Sequence, residues 1–187
     1  MRFILSLLLC LAFSLAFSQG EKKSFKGITL SEEFTSNDYS VPDSLLFYSN
    51  RHWEIEKYYK ILFRKLKKEF KNTNIKTEYV FERNDSVSEM VKSFKDLKIK
   101  NKPKKNNIIC VFAVSNLESN FFRISKRTGQ TFFVNKKKIM YYNMYLMLLD
   151  TRKNKILLKR KFSVEANEIY HANNKNLAKA IAQEIKI

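Results

Sequence analysis

The chain has 187 residues, with 36 basic and 18 acidic side chains and a formal net charge of +18. This length is enough for one domain with a sizeable core, so disulfide bonds are not needed for folding. The charge favours anionic partners. However, Lys outnumbers Arg by 28 to 8, and lysine cannot read phosphate or guanine bidentately, so a specific nucleic-acid partner is not expected.

The first 18 residues have the pattern of an export signal. Arg2 precedes an apolar run from Phe3 to Phe17, and the small residues Ala16 and Ser18 stand at the cleavage positions. The run is too short for a typical membrane span. We therefore predict a signal peptide over residues 1–18 and one α/β domain over 19–187. The mature chain would have no transmembrane span and would be exported, either to the periplasm or out of the cell.

Only one of the two cysteines belongs to the mature domain. Cys10 lies inside the leader, after Leu7–Leu9 rather than after the small residue of a lipobox, so lipidation is not favoured. Cys110 lies in the apolar run Ile108–Phe112, which indicates a buried, inert thiol rather than a reactive one.

The first half of the domain alternates between strands and helices. Lys23–Leu30 is a candidate strand, and the linker-like stretch Ser31–Asp43 follows it. An amphipathic helix is predicted within Asn50–Lys71 from an apolar stripe at steps of three and four, consisting of Ile55, Tyr59, Leu62, Leu66 and Phe70. We favour a helix packed on a sheet over one lying on an anionic membrane. The alternation in Asn74–Glu82 then predicts a half-buried strand.

A second crossover helix is predicted next. Ser86 and Glu89 form a capping box. The apolar face behind it consists of Val87, Met90, Val91, Phe94 and Leu97. The basic loop Lys98–Asn107 ends this helix, and the continuously apolar Ile108–Val114 is typical of a central strand.

The last third is mostly β. Strands are predicted at Asn120–Ser125 and Gln130–Val134, followed by a hairpin of Ile139–Leu149 and Ile156–Val164. A short helix follows Asn173-Asn174, with Leu177, Ala180, Ile181 and Ile185 facing inward. The predicted fold class is α/β (α+β): a single mixed β-sheet of about five to six strands with two crossover helices, a C-terminal β-meander and a terminal helix.

This order of elements resembles the small periplasmic α/β domains of the CsgG and TolB amino-terminal kind. In those domains an apolar stretch ends in Asp before the final hairpin turn, as Leu146–Thr151 (LMLLDT) does here. The glycine often found at that turn is replaced by Arg152. The resemblance implies an assembly, scaffold or binding module, and it carries over no catalytic residue.

Two short motifs are similar to the Asp-Ser/Thr-apolar glycosylation acceptors of Bacteroidetes, and the leader ending before Gln19 resembles leaders from that group. The motifs are Asp43-Ser44-Leu45 and Asp85-Ser86-Val87. Since Asp85 and Ser86 are already explained as the start of a helix, the structural interpretation is preferred.

The sequence offers no catalytic, cofactor or metal constellation. His52 and His171 are far apart in the chain and lack the spacing of a metal site. The first hypothesis is therefore a non-enzymatic envelope protein that binds a partner protein or an anionic envelope component. The alternatives are a secreted basic hydrolase, such as a small nuclease or toxin using His52 or His171, and simple polyanion binding without chemistry.

A candidate binding face lies on the last two strands, where aromatic and basic residues alternate. It consists of Tyr141, Tyr145, Lys136, Lys138, Lys159 and Arg160. Aromatic rings between basic groups can stack on bases or sugars. The period of a strand places Tyr142, Met144, Leu146 and Leu148 on one face, and Tyr141, Tyr145, Met147 and Leu149 on the other. Most of these side chains are therefore expected in the core.

Overall fold

The computed structural model describes residues 25–51, 55–84, 91–99, 107–115, 122–124, 131–133, 140–166 and 172–186. Within them lie eight strands and two α-helices. In chain order they are β1 (Ile28–Thr35), β2 (Ser44–Arg51), α1 (Glu56–Phe70), β3 (Lys76–Arg83), β4 (Ile108–Val114), β5 (Phe122–Ile124), β6 (Thr131–Phe133), β7 (Met140–Asp150), β8 (Lys155–Ala166) and α2 (Ala172–Ile185).

Six of the strands form one mixed sheet in the order β1-β8-β7-β4-β2-β3. The pairs of β2 with β3 and with β4 are parallel, whereas β1–β8, β8–β7 and β7–β4 are antiparallel. The predicted fold class, a single mixed sheet in an α/β domain, is confirmed.

Both helices pack on the same face of the sheet. The stripe predicted for α1 is buried, with Tyr59, Leu62 and Leu66 at 0% exposure. These side chains share a core with the inward residues of the central strands, among them Phe47 and Phe112. Leu177, Ile181 and Ile185 of α2 join the same core, as predicted. The burial of this amphipathic stripe is what holds each helix on the sheet.

The strand β2 was not predicted, although it is a central strand. Its run Leu45–Tyr48 is completely or almost completely buried because the sheet has a core on both faces at this position. The predicted helix over Asn50–Lys71 starts too early, since β2 extends to Arg51 and α1 begins at Glu56.

The first strand also differs from the prediction. It overlaps the predicted Lys23–Leu30 only in its first three residues and continues through half of the supposed linker Ser31–Asp43. A register shift between Leu30 and Glu32 marks a bulge in its pairing with β8. Because β1 is an edge strand with a largely exposed polar sequence, its hydrophobic period is too weak to reveal it.

The second crossover is not an α-helix in its described part. Residues 91–99 contain only a 3₁₀ turn at Phe94–Asp96, capped by Ser93. The backbone N–H groups of Lys92 and Ser93 both donate to Oδ2 of Asp96, at 2.8 Å each. Val91 and Leu97 cover the sheet face opposite the helices. The proposed Ser86–Glu89 capping box lies outside the described residues.

The predicted hairpin near the C-terminus is present as β7 and β8. Asp150 closes the turn by accepting hydrogen bonds from the backbone N–H groups of Arg152 and Lys153, at 2.9 and 3.1 Å. Asn154 takes the left-handed conformation, with φ of 49°, so no glycine is needed. The two short strands β5 and β6 pair with each other rather than with the main sheet, so the predicted meander is not continuous.

Candidate functional site

The two central parallel strands separate at their carboxyl ends. The pairing of β2 with β4 includes only Leu46, Phe47 and Tyr48 on β2, whereas β4 continues to Val114. The chain leaves β2 through α1 on one face of the sheet, and it enters β4 from the segment 91–99 on the other face. In α/β sheets, ligands bind in the crevice outside the carboxyl ends of strands at such a topological switch point.

The last three residues of β2 are polar and buried. Ser49 is completely buried, and Asn50 and Arg51 are 7% and 9% exposed. The strand alternation places Ser49 and Arg51 on the helix side with Phe47, and Asn50 on the opposite face with Tyr48. Ser49 Oγ, Asn50 Oδ1 and Arg51 Nε have no hydrogen-bond partner of good geometry. Ser49 and Arg51 nevertheless lie close enough to the Tyr59 hydroxyl to help hold down its pKa. Because buried polar atoms without partners are rare in folded proteins, Ser49 and Arg51 are the candidate binding residues at this end of the sheet.

Arg51 is the most unusual of the three. Its Nη1 donates to the carbonyl oxygen of Asn50 at 2.7 Å, and a hydrogen bond from the guanidinium to the Tyr59 hydroxyl helps to hold down the pKa of that phenol. Its Nε has no partner. Among the residues that the structure describes, no carboxylate forms an ion pair with it. Arg51 helps to lower the pKa of Asp96, but that carboxylate already accepts hydrogen bonds from two backbone N–H groups. The guanidinium is thus a buried cation that still has a free donor.

Tyr59 of α1 fills the inner end of the crevice. Its hydroxyl accepts a hydrogen bond of 2.9 Å from the backbone N–H of Val114, a group on β4 that lies beyond the pairing with β2. Burial raises the pKa of Tyr59, while the positive charge of Arg51 acts in the opposite direction. The phenol is therefore neutral at physiological pH, and its ring packs beside Ser49 and Arg51.

A carboxylate lies on the outer side of the crevice. Glu82 of β3 is the cross-strand neighbour of Asn50, and it accepts a hydrogen bond from the hydroxyl of Tyr48. On the inner side, the hydroxyls of Tyr58 and Tyr142 lie 3.0 Å apart in the core. Burial raises the pKa of Tyr142 to about 12. Burial also raises the pKa of Tyr58, so neither Tyr58 nor Tyr142 is prepared to act as an acid or base at neutral pH.

The predicted binding face is not assembled as expected. Arg160 lies on the helix-facing side of β8 at 3% exposure, where its Nε donates to Glu184 of α2 at 2.5 Å. It therefore cannot belong to a surface patch. Tyr145 is 4% exposed and donates its hydroxyl to the carbonyl of Lys92. It too is part of the core.

Two members of that predicted face do lie on the sheet face opposite the helices. Tyr141 is 70% exposed. The Nζ of Lys159 lies 5.9 Å from the ring centre of Phe34 and 5.7 Å from that of Phe94. Lys136 and Lys138 lie outside the described residues. The predicted division of β7 into two faces holds for its core residues, since Tyr142, Met144, Leu146 and Leu148 face the helices while Tyr145 and Met147 face away.

Several other sequence predictions fall outside the described residues, including the signal peptide, Cys10, His52, His171 and the Asp85-Ser86-Val87 motif. The hydrolase alternative, which depends on His52 or His171, therefore gains no supporting observation. Within the described ranges there is no group of three or more His, Cys, Asp or Glu side chains that is arranged to hold a metal ion. The same residues contain no helix with the length and hydropathy to cross a membrane.

Cys110 is buried at 0% exposure, and burial raises the pKa of its thiol. We predict that the folded mature chain reacts with an aromatic disulfide reagent at least about 10³-fold more slowly than the urea-unfolded chain, because the thiolate is exposed only on unfolding. The rate of thiol release by the two forms measures this ratio. Similar rates in the two forms would show that the strand β4 opens without global unfolding.

The crevice residues were missed because β2 was missed. One signal was available: four consecutive apolar residues, Leu45–Tyr48, are typical of a buried strand, and the polar Ser49-Asn50-Arg51 follows directly. Polar residues at the carboxyl end of a parallel strand are a common arrangement at binding sites. The burial of Arg51 depends on long-range packing and had no local signal.

No protein-family model matches the chain, and no curated protein matches it. Among solved structures, the chain is similar to the PelC dodecamer from Paraburkholderia phytofirmans, with a TM-score of 0.43 and 9% identity over 85% of this chain and 95% of that chain. A point variant of the same dodecamer gives a TM-score of 0.40 and 8% identity over the same shares. Similarity at this level says nothing about the function, which has to be inferred from the residues of the crevice.

Proposed function

We propose that this protein is an exported, non-enzymatic binding module of the cell envelope that holds an anionic group of its partner at Arg51. The observation that carries the proposal is the buried guanidinium of Arg51, whose Nε has no partner and which forms no ion pair with a carboxylate among the described residues. A buried cation is strongly unfavourable unless it is paired. A carboxylate or phosphate oxygen would supply the missing charge and accept two parallel N–H bonds from the guanidinium fork.

The neighbouring groups suit the same kind of ligand. The hydroxyl of Ser49, on the same face of β2 as Arg51, can donate to an anion. The low local dielectric of a crevice with little solvent strengthens each of these bonds. The net charge of +18 raises the local concentration of anions around the molecule.

Binding is favoured over catalysis by the state of the titratable groups. Burial raises the pKa of Tyr59 and of Cys110, which removes both as nucleophiles or bases near neutral pH. The leader predicted over residues 1–18 supports export to the periplasm or the exterior. We therefore infer that the partner is an envelope protein or an anionic envelope component.

The test uses inorganic phosphate and pyrophosphate as probes, with urea unfolding as the measurement. We expect either anion to raise the free energy of unfolding of the wild type in a saturable way, by about 2.7 kcal/mol at a hundred times its dissociation constant. In Arg51→Met this increase is expected to be lost, with affinity lowered by about 10–100-fold, as for a charged hydrogen bond. Without anion, Arg51→Met is expected to be more stable than the wild type by about 1–3 kcal/mol, because no buried charge remains.

The matched control is Arg64→Met, which removes the same charge from an exposed position on α1. It is expected to bind both anions as the wild type does. Arg51→Lys keeps the charge but loses the bidentate geometry, and an intermediate affinity is expected. If Arg64→Met lowered the affinity for the anions as much as Arg51→Met did, or if Arg51→Met left it unchanged, the anions would bind to the general basic surface instead.

A further inference from the structure

A second pocket lies at one end of the sheet, where side chains that face away from the helices meet the helix-side residues Ile28, Tyr142 and Val164. Its volume is about 520 Å³, within the range of about 300–1,000 Å³ that is usual for sites of small ligands. It is formed where β1, β8 and β7 lie side by side, and it reaches the end of β4. The polar side chains in its lining are Thr29, Ser115, Tyr141, Asn143, Ser163 and Glu165.

The central polar groups of this pocket are held in place by one another. Ser163 Oγ donates to Asn143 Oδ1 at 3.1 Å, and the backbone N–H of Asn143 donates to Ser115 Oγ at 3.0 Å. Asn143 and Ser163 are directly opposite each other in the β7–β8 ladder, and Thr29 is the next residue across on β1. The result is a row of hydroxyl and amide groups on rigid strands, which limits the ordering cost of binding a ligand.

An exposed aromatic ring stands at one end of this row. Tyr141 is 70% exposed, the highest value among the large hydrophobic residues of the described chain. Its neighbour across the ladder is Glu165. A tyrosine ring offers a flat apolar face with a polar tip, so it can contact the C–H face of a hydroxyl-rich ring while the row beside it bonds to the hydroxyls.

The charge of the lining distinguishes this pocket from the crevice at Arg51. The chain as a whole has a net charge of +18, yet the lining residues that the structure describes include one carboxylate and no Lys, Arg or His. Hydroxyl, amide and carboxylate groups together are suited to bond a ligand that is rich in hydroxyls.

We propose that this pocket binds a neutral saccharide unit, with Tyr141 as the stacking platform and Asn143 and Ser163 as hydrogen-bonding partners. The assignment does not depend on anion binding at Arg51. It rests on the combination of an exposed aromatic ring, a fixed row of hydroxyl and amide groups, and the absence of basic side chains among the described lining residues.

The experiment measures binding of maltotriose, cellotriose and tri-N-acetylchitotriose to the full mature chain by saturation-transfer NMR and calorimetry in phosphate-free buffer. At least one oligosaccharide is expected to bind, and Tyr141→Ala is expected to weaken that binding by about 10-fold or more, as for the loss of a stacking contact. The matched control is Phe34→Ala, which removes an aromatic residue that is 48% exposed and outside the pocket lining. It is expected to leave the affinity unchanged.

Two further variants separate the possible outcomes. Arg51→Met is expected to keep full saccharide affinity, so failure of the anion proposal would not affect this result. Spermidine serves as a cationic probe, and Glu165→Gln removes the charge that a cation would require. The proposal would be overturned if none of the three oligosaccharides bound, or if their binding survived Tyr141→Ala. It would also be overturned if only spermidine bound and this binding were lost in Glu165→Gln.

Discussion

Glu184→Leu is expected to lower the free energy of unfolding by about 3–5 kcal/mol, because it breaks a buried ion pair. Oε2 of Glu184 lies 2.5 Å from Nε of Arg160, and the two side chains are 6% and 3% exposed. Without the carboxylate, the guanidinium stays in the core between β8 and α2 with no counter-charge. Urea unfolding followed by circular dichroism measures the loss.

The double variant Arg160→Met/Glu184→Leu is expected to recover much of this loss, because apolar side chains of similar volume then fill the space. Recovery is expected to be incomplete, since Arg160 also donates to the carbonyl of Phe34 and to Thr35 Oγ1. The control is Asp38→Asn, which breaks an ion pair with Lys155 whose members are 59% and 43% exposed, and little change is expected. A double variant as unstable as Glu184→Leu would contradict the assignment of the loss to an unpaired charge.

Alkaline pH is expected to unfold the protein steeply, because five buried or partly buried tyrosines must stay neutral in the folded state. Burial raises the pKa of Tyr39 and of Tyr142 from 10.0 to about 12, and it raises the pKa of the other three, Tyr58, Tyr59 and Tyr79. In the unfolded chain they ionise near pH 10. Their contribution to stability is therefore fully present below pH 10 and is lost as the pH rises through the folded pKa, at about 1.4 kcal/mol per pH unit for each tyrosine.

The measurement is the free energy of unfolding in urea at a series of pH values from 9 to about 12, together with the ultraviolet absorbance of phenolate. Tyr142→Phe removes one of the five titrating groups, so its free energy is expected to fall less steeply with pH. The part of the phenolate absorbance that comes from these five tyrosines is expected to appear together with unfolding rather than before it. A free energy of unfolding that stays constant from pH 10 to 12 would contradict the prediction.

The helices and strands with a regular spacing of apolar residues were predictable from sequence. The α1 stripe and the β7–β8 hairpin were placed within a few residues of their observed ends, because each buries a regular set of apolar side chains. The alternation along β7 also gave its two faces correctly. The same alternation along β8 places Arg160 between Leu158 and Phe162, both of them buried, so its inward position follows from the strand period even though its charge suggests the surface.

The other elements and the candidate site depend on contacts between distant parts of the chain, so the sequence did not predict them. The pairing partners of β1 are in β8, and its exposed polar residues give no period of their own. The 91–99 segment has helical spacing, but Ser93 caps only one 3₁₀ turn and the backbone is extended again at Leu97. The crevice requires β2 to separate from β4 and Tyr59 to arrive from α1, which no local pattern encodes. The second pocket likewise exists only once three strands lie side by side.

The position of β1 also determines when the fold can be completed. The chain places this strand first among the described elements, yet its partner β8 is near the other end, and the hydroxyl of Ser31 bonds to the carbonyl of Lys161 across 130 residues. Closing so long a loop is slow, because its entropy is lost before the contacts form. A chain that emerges from the ribosome with its amino end first has no complete sheet until β8 has been synthesised. The backbone groups of β1 that pair with β8 therefore stay without their partners while all the strands between them are made.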